Sequence, residues 1–451
     1  MKTPQTSRSV FDFYGKPPFA KALPLSLQHI LAMIMGAVTV PIIVSGAANV
    51  SPEEKMLLIQ MSLIFSGVST LIQLYTIGKL GAKLPVIFGV GFAYVPTLVT
   101  VGAQYGVSGI LGAQIFGGIA MMIVGLFTKK IRNFFPPVVA GTVVLVIGLS
   151  LYQIAINYLA GGIGASDYGA TTNWLIGGIT LIVVLLVSQF GKGFLKLASI
   201  ICGILAGYLL SMSFGKVDFA QVGEAPWFTA PMPLSFGLEF HTAAIISMTV
   251  ICVINSVQTI GDLSATTVGG MNRELETREL SGGLLGNGFS TALGSFFGGL
   301  PTSSFSQNVG IVAMTKVISR YVLAIAAIFM LIAGFIPKFG AIMTTIPFPV
   351  LGGATIIVFG MITMTGIQLL TKDEMSSRNV TIASLSLALS MGVYAVPGAI
   401  DQFPAILKQV LGGSPIVIAA IVSFTLNLIL PRKTLADEEQ ERKEIEMKMN
   451  R

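Results

Sequence analysis

Charge is scarce in this chain: 10% of its 451 residues are Asp, Glu, Lys or Arg, against roughly 25% in an ordinary soluble domain. So few charges cannot cover the surface of a water-soluble protein of this length, and a soluble enzyme or binding module is excluded. Cysteine is nearly absent as well. Cys202 and Cys252 both lie inside apolar runs and suggest no disulfide framework. Chemistry-bearing motifs are missing too: the chain has no P-loop, no HExxH, no paired CxxC and no nucleophile elbow. It is therefore not its own ATP-driven pump, and an intramembrane enzyme lacks its machinery. The first stretch, "MKTPQTSRSVFDFYGKPPFAK", is basic and has no apolar run, so it reads as a cytoplasmic tail and not as a cleaved signal peptide.

Apolar sequence is abundant. Hydrophobic residues make up 53% of the chain and the mean hydropathy is +0.83. Runs of about 18 to 25 such residues, each long enough to cross a hydrocarbon core of about 30 Å, recur from Leu23 to Leu430. Barrel strands would give a far weaker signal, so the spans are helices and the chain is an all-α polytopic membrane protein. About 14 segments are expected, near 24–44, 54–77, 84–102, 108–128, 136–157, 173–190, 193–213, 242–265, 280–298, 305–316, 319–337, 341–366, 378–395 and 412–430.

Cations sort by side when the N-terminus is placed inside. Inner loops hold Lys79 and Lys83, then Lys129, Lys130 and Arg132, then Lys192 and Lys196, then Arg273 and Arg278. They continue with Lys316 and Arg320, Lys372 and Arg378, and Arg432 and Lys433. Outer loops hold only scattered cations such as Lys55, Lys216, Lys338 and Lys408. This asymmetry fits an even number of crossings with both termini cytoplasmic. The net charge of +7 thus belongs to loops and tails, and it marks orientation and not a nucleic-acid partner. The closing stretch "ADEEQERKEIEMKMNR" reads as a solvated or interfacial tail.

Two segments are short and interrupted: "LPVIFGVGFAYVPTL" (Leu84–Leu98) and "GLPTSSFSQNVGIVAMTK" (Gly299–Lys316). Each is the third segment of a seven-segment half. Matching breaks of this kind point to a 7+7 inverted repeat with a binding site at the repeat interface. Extended backbone at membrane depth survives only where it is buried or lines a cavity, so both segments should meet centrally and lead into half-helices whose N-terminal amides face a ligand.

Polar side chains inside the spans mark the same region. Segment eight places Asn255, Gln258 and Asp262 on one helix face. A mid-membrane carboxylate costs about 2.5 to 3.5 kcal/mol, so Asp262 needs a partner, a cavity or a proton; acceptance from backbone amides or a lysine would serve equally. Segment one carries His29, a packing or hydrogen-bonding residue or a proton carrier. His241 is interfacial, and Trp227 and most tyrosines fit an aromatic belt. Segment nine carries Asn287 between glycines that permit close helix approach. Recognition is left to amides: Gln258, Gln307 and Asn308, with main-chain groups near Phe92 and Ser306. A planar heterocycle with N–H and C=O edges suits them, since an amide donates and accepts in one plane, and Phe92 can stack on the ring.

These residues resemble the nucleobase–ascorbate transporters, the nucleobase:cation symporter-2 family. Its Q/E-N-x-G-x-x-x-x-T-R/K/G signature is matched in full by Gln307, Asn308, Gly310, Thr315 and Lys316, and "LQHILAM", "TIGDLSAT" and "LPTSSFSQN" are similar to its other motifs. The resemblance implies short strands in segments three and ten, a core domain of segments 1–4 and 8–11, and a gate domain of segments 5–7 and 12–14. In residues these are a tail 1–22, core 23–132, gate 133–240, core 241–338, gate 339–431 and tail 432–451. It further implies a purine base as substrate, xanthine or uric acid because Gln307 is an amide, moved by elevator-type alternating access across the plasma membrane by a homodimer, with no cofactor. Gln307 would bond the purine, Ser306 would offer main-chain contact, Phe92 would stack, and Asn308 and His29 would organise the site.

Two positions depart from the family. Gln258 stands where a glutamate is usual and Asn287 where an acid is frequent. Neither amide can carry a proton. Coupling through Asp262, coupling to another cation, and facilitated transport of a nucleobase or uracil all stay open. A sulfate-carrier-type anion transporter would share the 7+7 fold without the signature, and a channel or receptor is the remaining class.

Overall fold

The computed structural model describes residues 10–128 and 136–449. Lys129, Lys130 and Arg132 lie outside the described residues, as do residues 1–9 of the first tail. Helices dominate: α1 (Phe19–Ala47), α2 (Pro52–Tyr75), α3 (Val95–Leu126), α4 (Pro137–Leu159), α5 (Thr171–Phe190), α6 (Ser199–Ser213) and α7 (Thr242–Ala265). They continue with α8 (Thr277–Ser295), α9 (Ser306–Thr315), α10 (Arg320–Gly334), α11 (Phe348–Leu370), α12 (Ser377–Ala395) and α13 (Pro415–Ile429). Two strands, β1 (Phe88–Val90) and β2 (Thr302–Ser304), precede α3 and α9.

Local sequence sets many of these boundaries. Proline, which has no amide to leave unpaired, opens α2, α4 and α13. Ser51 and Glu54 close a capping box on α2: Ser51 Oγ accepts from the Glu54 amide at 3.2 Å, and the Ser51 amide donates to Glu54 Oε2 at 2.8 Å. Inside α3, Gly106 adopts φ 66° and ψ −171°, a conformation that a side chain disfavours, and it divides segment three from segment four. The last tail forms an exposed charged helix, Leu435–Met449.

Among the described residues, seven stretches are long and apolar enough to cross a bilayer as single helices, and the pair Arg320–Gly334 and Pro337–Thr344, bent by 84°, makes an eighth. The others are short or interrupted. With the break at Gly106 counted as a boundary, the order is the fourteen-segment 7+7 arrangement. β1 and β2 hold the same place in the two halves and pair antiparallel, Phe88 opposite Ser304 and Val90 opposite Thr302. Equivalent strands that pair antiparallel require the halves to run in opposite directions, which is the signature of inversion.

The helices pack in two sets. In one, α4 lies along α11, flanked by α5, α6, α12 and α13. In the other, α3 packs on α7 and α8, and α10 on α1 and α2. Close approach in both sets depends on glycine, since lipid supplies no hydrophobic drive between helices. A Cβ on Gly366 would lie 2.4 Å from the Leu145 amide nitrogen, and one on Gly118 would lie 2.6 Å from the Gly288 carbonyl oxygen. Gly118→Ala should therefore lower the unfolding temperature of the detergent-solubilised protein by several degrees. Gly178→Ala, whose Cβ meets nothing within 4 Å, should leave it unchanged. Equal shifts in the two variants would refute the close-packing account.

Candidate functional site

Between the two helix sets, where β1 and β2 give way to α3 and α9, lies a cavity of about 210 Å³. A cavity of about 150 Å³ holds benzene, so this one admits a somewhat larger ring system. Gly91, Phe92, Gln258, Ser303, Ser304, Ser306 and Gln307 line one side, and Val144, Met361, Ile362 and Thr365 the other.

Each polar wall residue has a reason to be there. The chain leaves β1 through a turn at Phe92–Tyr94 and enters α3, so Phe92 reaches the cavity at the break itself. α9 starts at Ser306 immediately after β2, which puts Ser306 and Gln307 in its first turn. No side chain caps the N-terminus of α9; the Asn308 and Val309 amides donate to the Phe305 carbonyl, and Ser306 and Gln307, ahead of them at the positive end of the dipole, line the cavity. At position 91 a Cβ would lie 2.1 Å from Ser303 Oγ and 3.1 Å from its Cβ, so a larger residue would turn the Ser303 hydroxyl away from its present place.

Asp262 holds the polar wall together. It accepts from Ser304 Oγ at 2.5 Å and from Ser306 Oγ at 2.8 and 3.0 Å, one helical turn beyond Gln258. Two hydroxyls and the Gln258 side chain thus surround it, in place of the backbone amides or lysine that the sequence offers as the structural alternative. The hydroxyls lie in β2 and α9, so a single carboxylate fastens both to α7.

His29 and Asn308 stand behind the cavity wall and do not line it. Both are buried: Asn308 Nδ2 donates to the His29 carbonyl at 3.0 Å and lies 3.1 Å from its Nδ1, which ties α9 to α1. Asn255 and Asn287 are also buried in supporting positions. Asn255 Oδ1 lies 2.8 Å from the Tyr94 hydroxyl, and Asn287 Oδ1 accepts from Thr302 Oγ1 at 2.8 Å. Tyr94 is fully buried, so the aromatic belt does not account for it. His241 is remote, stacked on Tyr105 with ring centroids 4.2 Å apart.

The sequence reading missed several residues here. Ser303 and Ser304 lie four and three residues before Gln307 in "LPTSSFSQN", and that serine run is a usable signal. Val144, Met361, Ile362 and Thr365 had none, because such residues are ordinary in apolar helices. Buried Gln114 was missed as well; its Nε2 donates to the Thr291 and Gly299 carbonyls at 2.7 and 2.8 Å and holds the turn before β2. A second cavity of about 140 Å³ shares Phe92, Phe305 and Gln307 with the first and has Lys196 at its rim.

Comparison with known proteins gives a consistent picture. Residues 20–399 match the family model Xan_ur_permease, described as a permease family. The chain is 36% identical to the xanthine permease of Bacillus subtilis over 91% of its own length and 94% of that protein. It is 38% identical to the uric acid permease PucK of the same organism, covering 91% and 95%. It is 34% identical to the uric acid transporter UacT of Escherichia coli, covering 90% and 86%. Among solved structures, the transmembrane domain of a cyanobacterium bicarbonate transporter, BicA, superposes with a TM-score of 0.56 at 13% identity, covering 91% of this chain and 98% of that one. SLC26A9 gives 0.58 at 11% identity, covering 90% and 65%. At such identities the two structures share a fold with this chain and nothing more.

Proposed function

We propose, from the premise that this chain belongs to the nucleobase–ascorbate transporter family of permeases, that it carries a purine base, xanthine or uric acid, across the plasma membrane. One observation carries the reading. Two glutamine amides and a phenyl ring converge on a cavity of about 210 Å³ at the mouth of a half-helix. Amides donate and accept in one plane and bury no charge, which suits a flat neutral ring with alternating N–H and C=O groups. The anion-transporter alternative is disfavoured because, among the described residues, no cationic side chain lines this cavity.

In this reading the α1–α3 and α7–α10 set is the core, and the set around α4 and α11 is the gate. The substrate cavity lies between them, so sliding of the core along the gate would carry the site from one face to the other. The second cavity, running from Gln307 toward Lys196, supports an opening on the inner side. A homodimer with both termini cytoplasmic completes the proposal.

Coupling depends on α7. Gln258 lines the cavity but cannot bind a proton at the position where the family usually has an acid. The test is uptake of radiolabelled xanthine and uric acid into proteoliposomes, with and without an inward proton gradient, for the native chain and for Gln258→Glu. Saturable uptake of either purine, blocked by the other, is expected in both. Accumulation driven by the gradient only in Gln258→Glu would assign the uncoupling to Gln258; accumulation in the native chain would move the proton to another group, Asp262 foremost. No saturable purine uptake in either chain would overturn the reading.

A further inference from the structure

The loop that joins α2 to β1 runs through several left-handed backbone conformations. Thr76, Gly78, Gly81 and Lys83 all have positive φ, at 43°, 63°, 102° and 58°. Such angles are unfavourable at threonine and lysine and persist only where the surroundings impose them. Here buried Gln73 imposes them: its Oε1 accepts from the Ala82 amide at 2.8 Å and its Nε2 donates to the Gly283 carbonyl at 3.0 Å. The Gly81 amide donates to the Gly282 carbonyl at 2.8 Å, which fastens the loop to α8.

The result is a cationic cavity remote from the purine site. Lys79 and Lys83 line a space of about 690 Å³ together with Arg278 in the first turn of α8, Arg273 in the connection before it, and Phe13 and Tyr14. Arg273 is already neutralised, donating to Glu279 at 2.5 and 2.8 Å. Glu276, the second carboxylate in the wall, accepts from the Glu279 amide in the capping box of α8 and keeps its charge, so the cations outnumber the carboxylates in the wall by two. Among the described residues no carboxylate lies within ion-pair distance of Lys79, Lys83 or Arg278. Lys79, Lys83 and Arg278 are exposed, and orientation accounts for cations on this face, but not for three of them around one cavity, where an anion offsets their repulsion. A lone ion would leave most of the space unfilled; the volume is that of a small-molecule site, about 300 to 1,000 Å³.

We propose that this cavity binds a phosphate ester, with the phosphate held by Lys79, Lys83 and Arg278 and the attached group lying against Tyr14. Tyr14 is itself fixed: the Arg320 guanidinium sits 4.8 Å and the Lys83 ammonium 5.8 Å from its ring centroid. Residues 11–15 are bound along the connection that follows α9, with the Ile318 and Arg320 amides donating to the Phe11 and Phe13 carbonyls, each at 3.1 Å. A ligand here would therefore touch the segment that fastens the far end of α9, whose first turn carries Gln307.

A soluble nucleotide and the headgroup of an anionic phospholipid share this phosphate chemistry, and the experiment separates them. Full-length protein in detergent is titrated with GMP and with inorganic phosphate while thermal unfolding is followed. In parallel, lipid retention is read by native mass spectrometry from nanodiscs of phosphatidylcholine with and without phosphatidylglycerol. Binding in the first arm assigns a soluble ester, and retention in the second a headgroup. Lys79→Gln, Lys83→Gln and Arg278→Gln combined should weaken whichever binds by roughly a hundredfold, about fivefold per cation. Lys372→Gln, Arg432→Gln and Lys443→Gln, with the same change of charge elsewhere, should leave it unaltered. If the triple variant does not fold, exposed Lys79→Gln alone should still show its fivefold loss. Absence of binding in both arms, or equal weakening in the control variant, would overturn the proposal. The readout is binding, so a failure of the purine-transport reading leaves it standing.

Discussion

Gln307→Ala should reduce purine uptake by roughly a hundredfold or more while leaving the protein folded in the membrane. The side chain lies in the first turn of α9 and lines the cavity, and the structure assigns it no hydrogen bond to another described residue that would hold the fold. Alanine is a strong helix former, so α9 should persist. What is lost is a donor and an acceptor presented in one plane to a substrate that has shed its water. Each polar group left unpaired on a desolvated ring costs about 1 to 3 kcal/mol, and a site that has lost both partners discriminates poorly against water and against other rings. Gln307→Glu should separate the two halves of the contact, since it keeps an acceptor and removes the donor. The measurement is initial uptake rate against substrate concentration in proteoliposomes normalised for inserted protein. Uptake of Gln307→Ala with unchanged apparent affinity would place recognition elsewhere in the protein.

Asp262→Ala should be nearly as damaging, for a different reason. The carboxylate accepts from hydroxyls in β2 and in α9 at 2.5 to 3.0 Å, so it braces both halves of the polar wall against α7. Hydrogen bonds to a charged group contribute about 1.5 to 3 kcal/mol each, and truncation also leaves Ser304 and Ser306 without that acceptor. Uptake should fall to background and the unfolding temperature should drop. Asp262→Asn keeps one oxygen in nearly the same place and separates bracing from charge. If bracing is the whole role, the asparagine variant recovers much of the stability and of the uptake measured without a gradient. If Asp262 also carries a proton, that uptake survives but loses its response to the gradient. Native stability and native uptake in Asp262→Ala would show that the brace is dispensable.

Both predictions concern residues that stand out in the sequence, yet they were legible to different degrees. Gln307 was placed by pattern: an amide after a Pro-interrupted start, in a segment matched by an interrupted segment in the other half. The break dictates exposed amides at membrane depth, and such amides line a cavity or are buried. Asp262 was visible only as an anomaly, because the expense of a carboxylate in a span follows from composition, whereas the identity of its partner does not. Ser304 and Ser306 are 42 and 44 residues away along the chain and reach it only because β2 and the start of α9 pack on α7.

Composition and pattern are enough to set the class of the molecule. Scarce charge, long apolar runs and two interrupted segments set the membrane environment, the helical spans and the inverted repeat, because bilayer thickness and the need to pair every backbone amide leave few alternatives. The signature from Gln307 to Lys316 added the resemblance to a family, which the comparisons then bore out. Tertiary structure alone decided which polar residues face the cavity and which support it. Phe92, Gln258 and Gln307 are in the wall, whereas His29, Asn255, Asn287 and Asn308 are buried behind it in hydrogen bonds. Structure also supplied the apolar side, Val144, Met361 and Ile362, and the cationic cavity around Lys79 and Lys83. Helical periodicity assigns a residue to a face, but the neighbour of that face depends on how helices hundreds of residues apart are rotated and stacked. A hydrogen bond requires its partners within about 3 Å, and that precision comes from packing and not from spacing along the chain.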